Sequence, residues 1–230
     1  MADFRMRGFQ GIPPVIKNLI IANVLFFLAE MTFSGTFIES LSLHYYGHPD
    51  FHFWQLASYM FLHAGWQHII FNMLALWMFG STIEDVWGGK RFLIFYLICG
   101  IGAALFQIGV VAIELQVLQS KLNAGSISEM EYLARGRLAF NITVVGASGA
   151  IMGVMAAFAY LFPNAPMFMF FIPFPIKAKY FVIGYFLIDL FGGINPRTGD
   201  NVAHFAHVGG AIIGLILVIT MNRTNRRTFY

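Results

Sequence analysis

Charge is what this sequence has least of. Only 11% of its 230 residues are Asp, Glu, Lys or Arg and 58% are hydrophobic, where an ordinary soluble domain carries about 25% charged residues. A chain this apolar cannot cover a water-facing surface with polar groups, which excludes a soluble globular protein and, equally, a disordered or collagen-like one. Cysteine is nearly absent. Cys99 stands alone in an apolar run, so an internal disulfide is excluded and the compartment is left open. The net charge of +3 is too small to suggest nucleic acid. What the chain has in quantity is apolar and aromatic side chains, and these require lipid as the solvent.

Charge-free stretches locate the membrane segments, because a charge at mid-bilayer is costly. Residues 51–83, 92–113, 138–176 and 201–222 contain no Asp, Glu, Lys or Arg. Val15–Phe37, interrupted by Glu30, and Lys179–Phe191 complete six apolar segments, a span needing about 20 residues. The expected fold is an all-α membrane protein, a single domain over 1–230, with spans at 15–37, 66–83, 91–114, 147–162, 178–192 and 202–221. The first is expected to be a span and not a cleaved leader, being long and followed by no small-residue cleavage site. Residues 38–65 hold Tyr45, Tyr46, Phe51, Phe53, Trp54, Tyr59, Met60 and Phe61 and are expected to lie in the membrane interface. The segment 115–140 is rich in Gln, Ser, Glu, Lys and Arg and reads as a solvated insertion, helical in part. Pro163, Pro166, Pro173 and Pro175 make 163–177 a broken loop.

Lys and Arg placement sets the orientation. With the N-terminus inside, Arg5, Arg7, Lys17, Lys90, Arg91, Lys177, Lys179, Arg223, Arg226 and Arg227 fall on the inner side. Lys121, Arg135, Arg137 and Arg197 fall on the outer side. Both termini are therefore expected in the cytoplasm, with the aromatic loop and the insertion outside.

The polar residues inside apolar spans carry the chemical information. His63-Ala-Gly-Trp-Gln-His68-Ile-Ile-Phe-Asn72 puts His68 and Asn72 on one helical face at the outer end of the second span. Gly146-Ala147-Ser148-Gly149 opens the fourth span, and Gly149 and Gly153 have GxxxG spacing. On their own these small residues favour helix packing over a nucleophile. His207, Gly210 and Gly214 line one stripe of the sixth span. If the two glycine stripes pack together, Ser148 and His207 come face to face, and His207 can take the hydroxyl proton. His44, His48 and His52 are evenly spaced, but without an HExxH or Cys–His framework they read as interfacial loop residues, and no metal is expected.

The ordered set of motifs resembles the rhomboid family of intramembrane serine proteases. It consists of His63-x4-His68-x3-Asn72, Gly80-Ser81-x2-Glu84, Gly146-x-Ser148-Gly149 and Ala206-His207-x2-Gly210-x3-Gly214. The resemblance implies a six-transmembrane-helix rhomboid bundle with an interfacial first outer loop. It implies an intramembrane serine endopeptidase that cuts single-pass transmembrane proteins near the outer face by a Ser–His dyad. Ser148 is then the nucleophile, and His207 the general base and later the general acid. His68 and Asn72 are side-chain donors to the oxyanion, joined by backbone around Gly146 and Ala147. Phe181, Tyr185 and Phe186 resemble the family's lateral gate. No cofactor or metal is implied, and the partners are substrate proteins and the bilayer, with no nucleic acid. The expected location is a bacterial cytoplasmic membrane, with the site opening outward. Asp189 and Asp200 are not expected to serve His207, so packing must hold it. The chain departs from the family pattern at Met152, where an aromatic residue is common, and at Gln55, where Trp54 is commonly followed by arginine. Two other functions fit parts of the pattern: an inactive relative that binds membrane clients, and a small channel or transporter using His and Asn along its pathway.

Overall fold

The structure, a computed structural model, describes residues 11–33, 35–169, 172–195 and 202–223. Arg5, Arg7, Arg197, Asp200, Arg226 and Arg227, which the sequence assigns to the termini or an outer loop, lie outside the described residues. Helix α1 runs Pro14–Thr32 and α2 Gly35–Leu41, so the expected first span, 15–37, ends earlier. Helix α3, Gln55–Ser58, passes into a 3-10 turn at Tyr59–Phe61. Helix α4, Trp66–Ala75, continues through a π-helical turn at Leu76–Gly80 into α5, Ser81–Trp87. After these come α6, Gly89–Asn123, α7, Glu129–Phe140, and α8, Ser148–Leu161. Strands β1, Pro166–Met169, and β2, Ile172–Lys177, precede α9, Ala178–Ile194, and α10, His204–Arg223.

Among the described residues, four helical runs are long and apolar enough to cross a membrane: α1, Trp66–Trp87, α6 and the His204–Asn222 part of α10. The expected fourth and fifth spans are present as shorter helices, of 14 residues in α8 and 17 in α9. At 1.5 Å per residue α8 is about 21 Å long, less than the roughly 30 Å of a hydrocarbon layer.

Two expectations are corrected. Residues 163–177 are not merely a broken loop. Met167 pairs with Ile176 and Pro166 with Lys177 in an antiparallel hairpin. In a two-stranded sheet both strands are edges, so a proline can sit where no ladder donor is required. The segment 115–140 is not a separate insertion from its start either. Helix α6 has 35 residues and runs on to Asn123. Only α7 stands apart, started by Ser128, whose Oγ accepts the Glu131 N–H at 3.2 Å.

Two polar contacts fix the ends of α1. Glu84 accepts the backbone N–H groups of Val15 and Ile16 at 2.9 and 2.8 Å, supplying partners to donors that a helix start leaves orphaned. Glu30, near the other end, accepts the His63 N–H at 3.0 Å. The carboxylate that interrupts the first apolar run thus ties α1 to the loop ahead of α4. At the Glu84 end, Arg91 donates to the Met221 carbonyl at 2.9 Å. Lys17, Lys90 and the C-terminal end of α10 therefore lie together, and the first turn of α10 lies at the opposite end.

At the centre, α8 packs between α6 and α10, and Gly149 through Phe158 are all buried. The expected glycine seam is present. A Cβ on Gly210 would fall on the Gly149 carbonyl, and one on Gly214 would fall on the Gly153 backbone. The order is parallel, 149 against 210 and 153 against 214, so the two helices begin side by side. Gly210→Ala should lower the unfolding midpoint in detergent by the equivalent of about 1–3 kcal/mol of overpacking. Gly109→Ala on α6 has nothing within 4 Å of the added methyl and should leave the midpoint unchanged or slightly higher. Equal midpoints for the two variants would contradict the seam.

Candidate active site

Because the seam starts both helices together, the first residue of α8 meets the first turn of α10. Ser148 Oγ lies 2.7 Å from His207 Nε2. The other ring nitrogen, Nδ1, lies 3.0 Å from Asp189 Oδ1 on α9. A carboxylate can only accept, so the Nδ1–H tautomer of His207 is the one that fits this contact, and it leaves Nε2 to the serine hydroxyl. Packing alone was expected to hold His207. The structure adds a buried carboxylate at hydrogen-bond distance, and the same oxygen takes a second contact at 2.8 Å from His204 Nδ1.

His68, on the first turn of α4, reaches the same place. A Cβ on Gly146 would stand 2.7 Å from His68 Nε2 and 3.5 Å from Ser148 Oγ. Imidazole and hydroxyl therefore flank one point on the Gly146 backbone. Gly146 has φ +125°, which L side chains rarely adopt, so glycine is needed both for the turn and for the approach of the ring. The Ala64 N–H donates to His68 Nδ1 at 3.3 Å. A neutral His68 then carries its proton on Nε2, and that donor faces the serine. His63 stands edge-on to His68 with ring centroids 5.0 Å apart. Burial, and then the neighbouring His68, push His63 down to about 4, so its ring is neutral. Asn72, one turn further along α4, is buried, and its Nδ2 has no partner among the described residues. Ala147 is fully buried just before Ser148.

The loop before Ser148 is pinned from the opposite side. Leu43 and Val144 exchange both backbone bonds at 3.0 Å, and the Gly146 N–H donates to the Tyr59 carbonyl at 2.9 Å. The Tyr59 hydroxyl in turn donates to Gly100 on α6 at 2.8 Å. Gln55, where the family commonly has arginine, is fully buried and holds the aromatic loop. Its amide donates to the Asp50 carbonyl at 2.8 Å and its Oε1 accepts the His44 N–H at 3.3 Å. Met152 is buried within α8. The aromatic loop is only partly peripheral: Phe53 and Trp54 are exposed, while Tyr45, Tyr59 and Met60 are core. His44, His48 and Asp50 come together with ligand atoms within 4.8 Å of one another, in the segment between α2 and α3.

From the sequence, Asp189 is not expected to serve His207, His204 and Tyr59 have no role at the site, and the Leu43–Val144 bridge has no signal. A pattern search could have paired Asp189-x2-Gly192 with His204-x2-His207. The His204 ring lies over Gly192, where a Cβ would come within 2.7 Å of it.

A serine hydroxyl, an imidazole nitrogen 2.7 Å from it and a second imidazole beside them thus lie together in a bundle of apolar helices. The Rhomboid domain family model matches residues 50–224. The chain therefore belongs to the rhomboid family, and it is an integral, multi-pass membrane protein. It is 34% identical over 176 residues to the rhomboid protease AarA of Providencia stuartii, covering 72% of this chain and 55% of that one. It is 30% identical over 217 residues to the rhomboid protease GluP of Bacillus subtilis, covering 90% of this chain and 34% of that protein. It is also 30% identical over 156 residues to the mitochondrial Rhomboid protein 1 of Saccharomyces cerevisiae, covering 68% and 38%. The chain spans about half or less of the length of these relatives.

Gln55→Ala would leave the buried His44 N–H of the aromatic loop unpaired, a cost of about 1–3 kcal/mol. Amide exchange over residues 43–51 should rise at least about tenfold while exchange in α6 stays unchanged. Equal protection of the loop in the variant would show that Gln55 does not hold it.

Proposed function

We propose that the protein is an intramembrane serine endopeptidase whose substrates are single-pass transmembrane proteins. The observation that carries this is the 2.7 Å contact from Ser148 Oγ to a His207 Nε2 free to accept a proton. His207 takes the hydroxyl proton as Oγ attacks the scissile carbonyl carbon. The carbonyl oxygen gains negative charge and is met by the N–H of His68, the amide of Asn72 and backbone N–H groups around Ala147 and Ser148. When the C–N bond breaks, His207 gives its proton to the leaving amine. Water then attacks the acyl-serine, with His207 again as the base, and restores the Ser148 hydroxyl.

Basic residues support an outward-opening site. Lys17, Lys90 and Arg91 cluster with the C-terminal end of α10, opposite Ser148 and His207. In the proposed orientation, which follows the positive-inside rule, that end and both termini are cytoplasmic and the site opens toward the outer face of a bacterial cytoplasmic membrane. A helical substrate shields its own peptide bonds, so it must unwind to be cut, which favours Gly, Ala and Ser near the cleaved bond. Helix α9 is the proposed lateral gate. Tyr185 is partly exposed along it, and Phe181 stacks toward Phe79 with ring centroids 6.3 Å apart.

Purified protein in detergent should react with a fluorophosphonate probe and cleave a model transmembrane substrate, and Ser148→Ala should abolish both. Labelling and cleavage that survive Ser148→Ala would overturn the assignment. Asn72→Ala should slow turnover by roughly 10²- to 10³-fold, the effect of losing one oxyanion donor, with the fold retained. Unchanged turnover would remove Asn72 from the site. Substrate capture without cleavage by the wild type would instead support a client-binding relative.

A further inference from the structure

Helices α9 and α10 present two matched pairs of positions. Asp189 and Gly192 are three apart on α9, and His204 and His207 are three apart on α10, so each pair shares a helical face. The glycine admits the His204 ring, whose Nε2 would lie 2.7 Å from a Cβ at position 192. With that ring seated, both histidines reach one carboxylate oxygen: Asp189 Oδ1 is 2.8 Å from His204 Nδ1 and 3.0 Å from His207 Nδ1. Asp189 is almost fully buried, and its Oδ2 has no partner among the described residues. A carboxylate in such surroundings is costly unless donors meet it. The two imidazole N–H groups are those donors.

We propose that Asp189 is a positioning residue for the Ser148–His207 pair, fixing His207 as the Nδ1–H tautomer, and that His204 holds Asp189 in place by sharing its Oδ1. The inference rests on the proposed serine peptidase reading and adds a third and a fourth member to its machinery. A neutral imidazole on a helix is free to put its proton on either nitrogen. Only the form with a bare Nε2 can accept from Ser148, and only an acceptor at Nδ1 selects that form. When Nε2 takes the serine proton, the same carboxylate faces the new positive charge. The other polar neighbours do not replace it. Ser148 itself occupies Nε2. His68 approaches from α4 with an N–H, which is a donor and not an acceptor. Between Phe92 and Ile113, α6 has no charged side chain, and its Cys99 lies against Gly153, deeper along the seam.

Two measurements on the full chain in detergent test this. The first is the steady-state cleavage of a model transmembrane substrate. Asp189→Ala should lower kcat by about 10- to 100-fold, a range below the full value of a positioned base, and change KM by less than about threefold. His204→Ala should lower kcat less, by about three- to tenfold, again with KM held. The second is the 15N spectrum of histidine-labelled protein, with His207 assigned by the signal lost in His207→Gln. In the wild type, and in the Ser148→Ala background, His207 should show a protonated Nδ1 and a bare Nε2. Asp189→Ala should turn it to the opposite tautomer or a mixture. A kcat within twofold of wild type in Asp189→Ala, or an unchanged His207 tautomer, would overturn the proposal. Should Asp189→Ala fail to fold, His204→Ala decides, and unchanged kcat and spectrum there would equally overturn it. The spectrum requires no turnover. Wild-type protein that neither cleaves nor labels at Ser148 while keeping the Nδ1–H form would therefore refute the peptidase reading and leave the hold of Asp189 on His207 standing.

Discussion

The site depends on the contact between two backbones. Because Gly149 and Gly153 meet Gly210 and Gly214 with no side chain between them, α8 and α10 lie closer than helices with larger residues could. In lipid there is no hydrophobic drive between helices, so such a seam is held by packing and is sensitive to a single methyl group. The parallel register of the four glycines then places Ser148, at the start of α8, beside His207 in the first turn of α10. The 2.7 Å contact between them is a consequence of that register and not an independent feature.

The polar groups of the bundle divide into two kinds. Glu84, Glu30 and Gln55 are saturated. Each takes backbone groups that a helix start or a loop would otherwise leave unpaired; Glu84 and Glu30 tie together segments distant in sequence, and Gln55 ties its own loop together. They act as fixed joints in a solvent that offers no substitute partner. The groups around Ser148 are aimed rather than saturated. His68 uses one nitrogen on the Ala64 N–H and turns the other toward the serine, and Asn72 keeps a buried amide without a partner. The first kind allows the second, since an aimed donor is useful only on a scaffold that does not relax around it.

How much of this could be read from the sequence follows from the same physics. Spans show as stretches without charge, and the glycine stripes show as helical spacing, so the pairing of α8 with α10 and of Ser148 with His207 was legible. His68 and Asn72 were legible as a polar pair on one helical face, but the role proposed for them and for Gly146 came only through family resemblance, because one His and one Asn four apart do not by themselves specify an oxyanion. Asp189 was not legible. It stands 18 residues from His207 on another helix, at a spacing fixed by how α9 leans on α10 and not by any local pattern. The hairpin at 166–177 was hidden by its prolines, which resemble loop residues until both strands are known to be edges. The end of α6 was hidden because its last turns are polar: apolar periodicity marks where a helix is buried, not where it stops.

The unpaired Asn72 amide bears on why the proposed chemistry can work in so apolar a body. A buried donor with no acceptor is destabilising by about 1–3 kcal/mol, and folded chains keep few of them. Here the orphan, which has no partner among the described residues, stands one turn from His68, whose ring lies beside Ser148. A negative oxygen developing at the Ser148 adduct would meet both donors at once, in surroundings where their dipoles are weakly screened and already oriented. The neutral ground-state carbonyl gains less from them than the oxyanion does, and that difference is what accelerates a reaction. The same scarcity of charge that marks the chain as a membrane protein would then strengthen the few dipoles placed beside its serine.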